Sequence, residues 1–273
     1  MNVRLISHTP DALNLLIGTK TTRMRGKKPE EMNEAERHEH FAYMLDTIES
    51  PFEFVDYIFE ITGVSKNFTH QLVRTRTGAY QQETSRALEV NALDTVRPEA
   101  FTFEEPLFQL WSDALADADS NYKQLIAAGA DLQDARAILP SNMPTAIKAK
   151  FNLRTLSQMA EKRLCARTQG EYQQVFRLMR RLVLDMHPWA DPLLQVACVR
   201  HGQCAFPRWG GKELYENEPQ WPDTSRGAFL GFQCPHYRPW MDLSKQKEEL
   251  RVSFWSREEI AQANPVAKDG KSM

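Results

Sequence analysis

The stretch "RTRTGAYQQETSR", Arg74 to Arg86, packs three arginines and a run of amide, hydroxyl and acid side chains into thirteen residues. A guanidinium is a planar fork of donors that can hold two phosphate oxygens at once. Gln71 just upstream, Gln81 and Gln82 each carry a donor and an acceptor, which suits the edge of a pyrimidine ring. Gly78 permits a tight bend between the arginines and the glutamines. Taken alone, the strip also reads as a solvated polar face on a helix–loop element. No P-loop and no G-x-G-x-x-G turn accompanies it, so phosphate binding of those two kinds is not expected.

Outward from this strip, the chain predicts a mixture of helices and strands. "VRLIS" at the start reads as a strand, and "DALNLLIG" as a helix capped by Asp11. A helix is expected from about Pro29 to Glu49, with Phe41, Met44, Leu45 and Ile48 on one apolar face. "SPFEFVDYIFEITGVS" follows as a turn and a strand, because Pro51 stops the helix and the residues are aromatic and β-branched. "KNFTHQLVRTR" reads as a helix leading into the strip. Residues 92–106 read as loop. Further helices are expected over "EPLFQLWSDALADADSNYKQLIAAG", over "DLQDARAIL", from Thr145 to Arg163 and from Gln169 to Met186. The last carries a core stripe of Tyr172, Val175, Phe176, Met179, Leu182, Val183 and Met186.

Composition bounds the function. The chain has 273 residues, 42% hydrophobic and 26% charged, which is enough for one large packed domain with an appendage. A net charge of −2 gives no broad basic surface, so no nucleic-acid partner is expected. No long apolar run and no signal-peptide layout is present, so neither a membrane partner nor export is expected, and the expected localisation is cytoplasmic. Four cysteines in a chain of this length do not make a disulfide scaffold.

Several pieces in order carry a resemblance: Ser50-Pro51-Phe52-Glu53, then Gln71, then the strip, then Ala135-Arg136 with Leu139-Pro140, then Asn152 through Arg163. Together they resemble the flavin-dependent thymidylate synthases, whose motif is RHRxxSxNExSxR, over roughly residues 1 to 187. The resemblance implies an α+β fold with an antiparallel or mixed sheet flanked by long helices, assembled as a homotetramer. It implies conversion of dUMP to dTMP, with methylenetetrahydrofolate as carbon donor and NADPH-reduced FAD as hydride source. It places the pyrimidine nucleotide on Gln71, Arg74, Gln82, Glu83, Thr84, Ser85, Arg86, Arg136 and Arg163. FAD falls on Ser50, Arg74, Thr75, Arg76, Asn152, Arg154 and Gln158. Arg163 is the residue the resemblance marks as catalytic, polarising the uracil ring. Helical spacing would set Asn152, Leu156, Met159 and Arg163 along one face, and Arg154 and Gln158 on another.

The motif departs from the family at Thr75 (for His), Ala79 (Ser), Gln81 (Asn), Gln82 (Glu) and Thr84 (Ser), and Phe54 replaces the histidine of SPFEH. The arginine frame survives while the acid and imidazole are lost. This keeps two alternatives open: a flavin-dependent C5 methylase or hydroxymethylase of another pyrimidine nucleotide (UMP, dCMP), and a non-catalytic, metal-stabilised binding protein. Residues 188–273 hold eight of the fifteen prolines and three of the four cysteines, and read as an irregular C-terminal extension. Within it Cys198, His201, Cys204, Cys234 and His236 are a weak candidate zinc set, because their types fit but their spacing is not that of a standard finger.

Overall fold

A computed structural model describes residues 1–20, 27–84, 93–98, 101, 105–165 and 168–201. Its framework is a four-stranded antiparallel sheet in the order β1-β2-β4-β3, formed by β1 (Asn2–His8), β2 (Asp56–Ser65), β3 (Ala79–Gln82) and β4 (Pro144–Asn152). The two central strands alternate cleanly. Tyr57, Phe59 and Ile61 of β2 pair with Phe151, Ala149 and Ile147 of β4, and all six side chains are buried on one face. The other face is charged: Glu60 lies between Arg4 on β1 and Lys148 on β4, and Asp56 pairs with Lys150. Such one-sided patterning is what an antiparallel sheet with one covered face needs.

Eight α-helices are described: α1 (Ala12–Gly18), α2 (Glu34–Asp46), α3 (Lys66–Leu72), α4 (Glu105–Ala127), α5 (Leu132–Ala135), α6 (Leu153–Arg163), α7 (Gly170–Met186) and α8 (Ala197–Arg200). The apolar face is covered by α7, which packs on β1 and β2 with Tyr172, Val175, Phe176, Met179 and Val183 buried. Each of these large side chains contributes on the order of 1.5–3 kcal/mol by leaving water. Leu182 is only partly covered and Met186 is exposed, so the stripe expected from the sequence narrows at its C-terminal end.

Four expectations are corrected. The helix expected from Thr145 to Arg163 is a strand as far as Asn152, and α6 begins at Leu153. Alternation of Ile147, Ala149 and Phe151 with Lys148 and Lys150 fits a half-buried strand, and β4 takes the central place between β2 and β3. The expected helix over 29–49 begins only at Glu34, capped by Asn33, whose side chain accepts from the Glu36 N–H at 2.9 Å. Pro29–Glu31 is a separate 3-10 turn, and Ile48 lies beyond the helix and is exposed. Asp11 sits at the N-cap of α1 in a left-handed conformation (φ 47°) and makes no capping bond; its carboxylate accepts from Asn14 instead. Finally, the helix expected over "DLQDARAIL" is shorter: α5 is followed by a 3-10 turn at Arg136–Ile138.

Beyond Pro188 the described chain stays on the core. A 3-10 turn at Pro188–Leu193 leads to α8, and Leu193, Leu194, Val196 and Val199 join the main buried cluster.

Candidate functional site: an arginine turn between two helix ends

The quoted stretch is a turn slung between α3 and β3. α3 starts at a firm anchor. Ser65 caps it by accepting from the Phe68 N–H at 2.9 Å, and Glu171 of α7 accepts from both the N–H and the hydroxyl of Ser65. The chain then winds tightly, with Thr75 N–H donating to Leu72 O at 3.0 Å and Gly78 N–H to Thr75 O at 3.0 Å. The Tyr80 hydroxyl reaches back beneath this turn, 2.6 Å from Thr75 O and 3.0 Å from Leu72 O. Burial pushes that hydroxyl up to about 12, so it stays protonated as a donor. Gly78 is the residue the turn cannot enlarge. A Cβ there would sit 2.5 Å from Tyr80 Oη and 2.6 Å from Phe151 Cε1. Arg74 and Arg76 are exposed, with no ion-pair partner among the described residues.

A second wall comes from the end of α6 and the start of α7. The Arg163 guanidinium lies over the Tyr172 ring, 4.2 Å from its centroid. Burial raises the Tyr172 hydroxyl above its ordinary value, while Arg163 and Thr75 beside it act in the opposite direction. Tyr172 therefore lies under Arg163 and near Thr75 of the arginine turn, its buried hydroxyl without a hydrogen-bond partner among the described residues. Gln71 joins the same corner through a 2.9 Å bond from its amide nitrogen to Gln169.

The third wall is the 3-10 turn Ser50–Phe54 and the first turn of α6. Asn152 is the N-cap of α6, its side chain accepting from the Thr155 N–H at 2.8 Å. It does not continue the face of Leu156, Met159 and Arg163 from within the helix, as the sequence suggested, because it closes β4. Thr155 in turn holds the motif, its hydroxyl donating to that of Thr77 at 3.0 Å. Arg154 hydrogen-bonds Glu53 and lies 3.9 Å from Glu49. Its Nε is buried without a hydrogen-bond acceptor. Ser50 and Gln158 are exposed nearby in sequence on the same two elements.

The remaining candidates are placed less closely. Gln82 extends its amide nitrogen to within 3.4 Å of Thr145 Oγ1 on β4. Glu83 continues the pairing through its N–H to Ala146 O at 2.9 Å, and Thr84 is exposed. Arg136 sits in its 3-10 turn facing the start of α3; burial lowers the Lys66 ammonium, and the Arg136 charge adds to that. Ser85 and Arg86 lie outside the described residues, as do Cys204, Cys234 and His236. Among the described residues no group of three or more His, Cys, Asp or Glu could hold a metal ion, and His201 bonds Glu161 at 2.7 Å. No described helix is long and apolar enough to cross a membrane.

Sequence reasoning missed Tyr172, Tyr80 and Thr77 as site residues. Tyr172 stood in the core stripe, and its role shows only when Arg163 is seen across its ring. Glu53 stood in the quoted SPFE piece, but its pairing with Arg154 spans a sequence separation of 101 residues.

The α+β scaffold thus carries motif arginines, a helix-end arginine and an arginine–carboxylate pair on neighbouring elements, the side-chain types a candidate anion-binding site needs. Residues 4–189 match the family described as thymidylate synthase complementing protein. A flavin-dependent thymidylate synthase of Pyrococcus furiosus is 35% identical over 166 residues, covering 57% of this chain and 67% of that protein. Those of Pyrococcus abyssi and Nitratidesulfovibrio vulgaris are 32% and 29% identical, covering 64% and 74% of this chain and 75% and 90% of theirs. The fold is also that of a crystal structure described as a UMP/dUMP methylase PolB from Streptomyces cacaoi bound with 5-Br dUMP, with a TM-score of 0.58 at 18% identity, covering 69% of this chain and 92% of that one. The chain belongs to the thymidylate synthase complementing protein family, the enzymes also named flavin-dependent thymidylate synthases.

Proposed function

We propose that this chain is a methyltransferase that converts dUMP to dTMP, with methylenetetrahydrofolate as carbon donor and NADPH-reduced FAD as hydride source, working as a homotetramer through the domain of residues 1–187. The observation that supports this reading best is the seating of the Arg163 guanidinium on the Tyr172 ring, in a chain of this family. The residues present fit an anionic flavin. Arg154 has a buried Nε with no acceptor, and Thr77 and Thr155 put two hydroxyls beside the arginine turn. When bound, FAD supplies the hydride that completes the new methyl group.

The protein's own work is binding, orientation and charge stabilisation. Uracil becomes nucleophilic at its fifth carbon as negative charge gathers on its carbonyls. Arg163, fixed over the Tyr172 ring, donates to that charge from a position that needs no rearrangement. Arg74, Arg86 and Arg136 hold the nucleotide, and Gln71 and Gln82 read the ring edge. Arg76 and Arg154, with Ser50, Thr75, Asn152 and Gln158, face the flavin. Over the reaction the fifth carbon would exchange its proton for the methylene carbon, the bond from that carbon to the folate nitrogen would break to release tetrahydrofolate, and one hydride from reduced FAD would bring the added carbon to the methyl level. Holding the reacting partners in register removes much of the entropic barrier.

The test is an absorbance spectrum of the purified protein, then mass spectrometry of products from dUMP, UMP and dCMP. Flavin absorbance and dTMP from dUMP are expected. A colourless protein that takes up no FAD would favour the binding-protein alternative and sink this one. The second reading, C5 modification or hydroxymethylation of another pyrimidine nucleotide, is favoured by one observation. Gln82 presents a neutral amide where the family motif has a carboxylate, and that amide is within reach of Thr145. Turnover of UMP or dCMP in preference to dUMP would select it.

A further inference from the structure

We propose that Arg200, which lies beyond the residues matched by the family, is a positioning residue for the flavin site, and that it acts by neutralising Glu49 so that Arg154 remains available to an anion. This rests on the flavin reading above. Glu49 is shared between two arginines: one carboxylate oxygen is 2.6 Å from Arg200 and the other is 3.9 Å from Arg154 Nε. Arg200 is nearly enclosed, with 10% of its side chain exposed, and its second nitrogen bonds Ser157 and, at 2.9 Å, Glu161 of α6. Glu161 also takes His201 at 2.7 Å. Arg154 has Glu53 as its other carboxylate.

The charge balance follows directly. With Arg200 in place, Glu49 has its close partner at 2.6 Å on the C-terminal side, and Arg154 keeps Glu53 as its hydrogen-bonded carboxylate with Glu49 farther off at 3.9 Å. Without it, Arg154 is left to both Glu49 and Glu53, Glu161 loses its arginine as well, and the local charge becomes more negative by one unit where an anionic flavin diphosphate must dock. A half-buried carboxylate stripped of its partner also draws the nearest remaining cation, which is Arg154. Arg200 thus acts through Glu49 and touches no ligand itself.

FAD affinity, read by quenching of flavin fluorescence, is measured for the parent, Arg200→Gln, Glu49→Gln and the double variant. Arg200→Gln is expected to weaken FAD about tenfold, as expected for a partly buried charge left unpaired. Adding Glu49→Gln is expected to restore affinity to within about threefold of the parent, because the uncompensated carboxylate is then gone. A merely structural role would not produce that rescue. Unchanged affinity in Arg200→Gln overturns the proposal, as does a double variant as weak as the single one. A parent protein that takes up no FAD overturns the functional reading first, and this inference with it. Circular dichroism checks folding; should Arg200→Gln unfold, Arg200→Lys carries the test. It keeps the charge while losing the planar fork, so an affinity within about threefold of the parent is expected and a tenfold loss overturns the charge argument.

Discussion

Arg163, the last residue of α6, rests on the ring of Tyr172 in the first turns of α7, with its guanidinium carbon 4.2 Å from the ring centroid. The two residues are nine apart in sequence, on helices joined by a short connection, and Tyr172 is fully buried. Arg163 itself is half-buried on that platform.

That arrangement separates charge from placement. Arg163→Ala should lower turnover of dUMP by about a hundredfold or more, the scale for removing one preorganised donor. Tyr172→Leu keeps the charge but removes the platform, and should lower kcat more than it raises KM. Steady-state kinetics distinguish the two, and full activity in Arg163→Ala would contradict the assignment.

Gly78 sets the closeness of the turn to the sheet. Gly78→Ala would press a methyl group onto Tyr80 and Phe151, at 2.5 and 2.6 Å. Overpacking of this kind costs about 1–3 kcal/mol. Urea denaturation should show a lower midpoint, and the same variant should bind nucleotide more weakly because Arg74 and Arg76 lie on the displaced turn.

Arg154→Ala should give protein that purifies with little or no flavin, while its melting temperature without flavin stays close to the parent's. Its carboxylate partner Glu53 is half-exposed, so the lost ion pair is worth only about 0–1 kcal/mol. Normal flavin content in this variant would remove Arg154 from the site.

His187 gives a pH signature. It is buried against Tyr57, whose hydroxyl lies 2.7 Å from Nδ1, and the rings of His8 and Trp189 pack on it. Burial, with the His8 charge adding to it, holds His187 below its ordinary value of 6.5, and burial drives the Tyr57 hydroxyl upward. The unfolded chain therefore binds this proton at a higher pH than the folded one. Stability is unaffected well above pH 6.5 and falls as pH drops through that value toward the folded one, with a slope of at most about 1.4 kcal/mol per pH unit. Urea midpoints between pH 7.5 and 5 should fall more steeply for the parent than for His187→Gln. Parallel curves would contradict it.

Oligomeric state can be read independently of the site. The helix α4 exposes Leu107, Leu110 and Leu125, and Ile138 is exposed as well, apolar side chains that a neighbouring subunit could cover. Light scattering should give four copies per particle, and Leu110→Glu should reduce that number. A monomeric parent protein would contradict the proposed homotetramer.

Much of this molecule was legible from residue types. The β1 and β2 strands, the turn at Ser50–Phe54, α3 and α7 follow from alternation, proline placement and helical stripes. The central strand β4 was not legible, because Ala146, Lys148, Ala149 and Lys150 are good helix formers and their alternation is short. Tertiary pairing with β2 overrides that preference. At the candidate site, the arginines stand out by their pattern, but their partners do not. Glu49, Glu53 and Tyr172 are ordinary residues until the fold sets them beside Arg154 and Arg163.

The buried cluster has one more consequence, for how the chain is made. Its first and last described segments close on each other: His8 meets His187 at 5.1 Å and Phe41 meets Trp189 at 5.2 Å, while Leu193 to Val199 complete the same interior. During synthesis β1 and α2 emerge first and must wait for residues made some 150 positions later. The nascent chain therefore leaves Phe41 without its Trp189 partner until residues 187–199 have left the ribosome, and this is the interval in which a chaperone would be needed most.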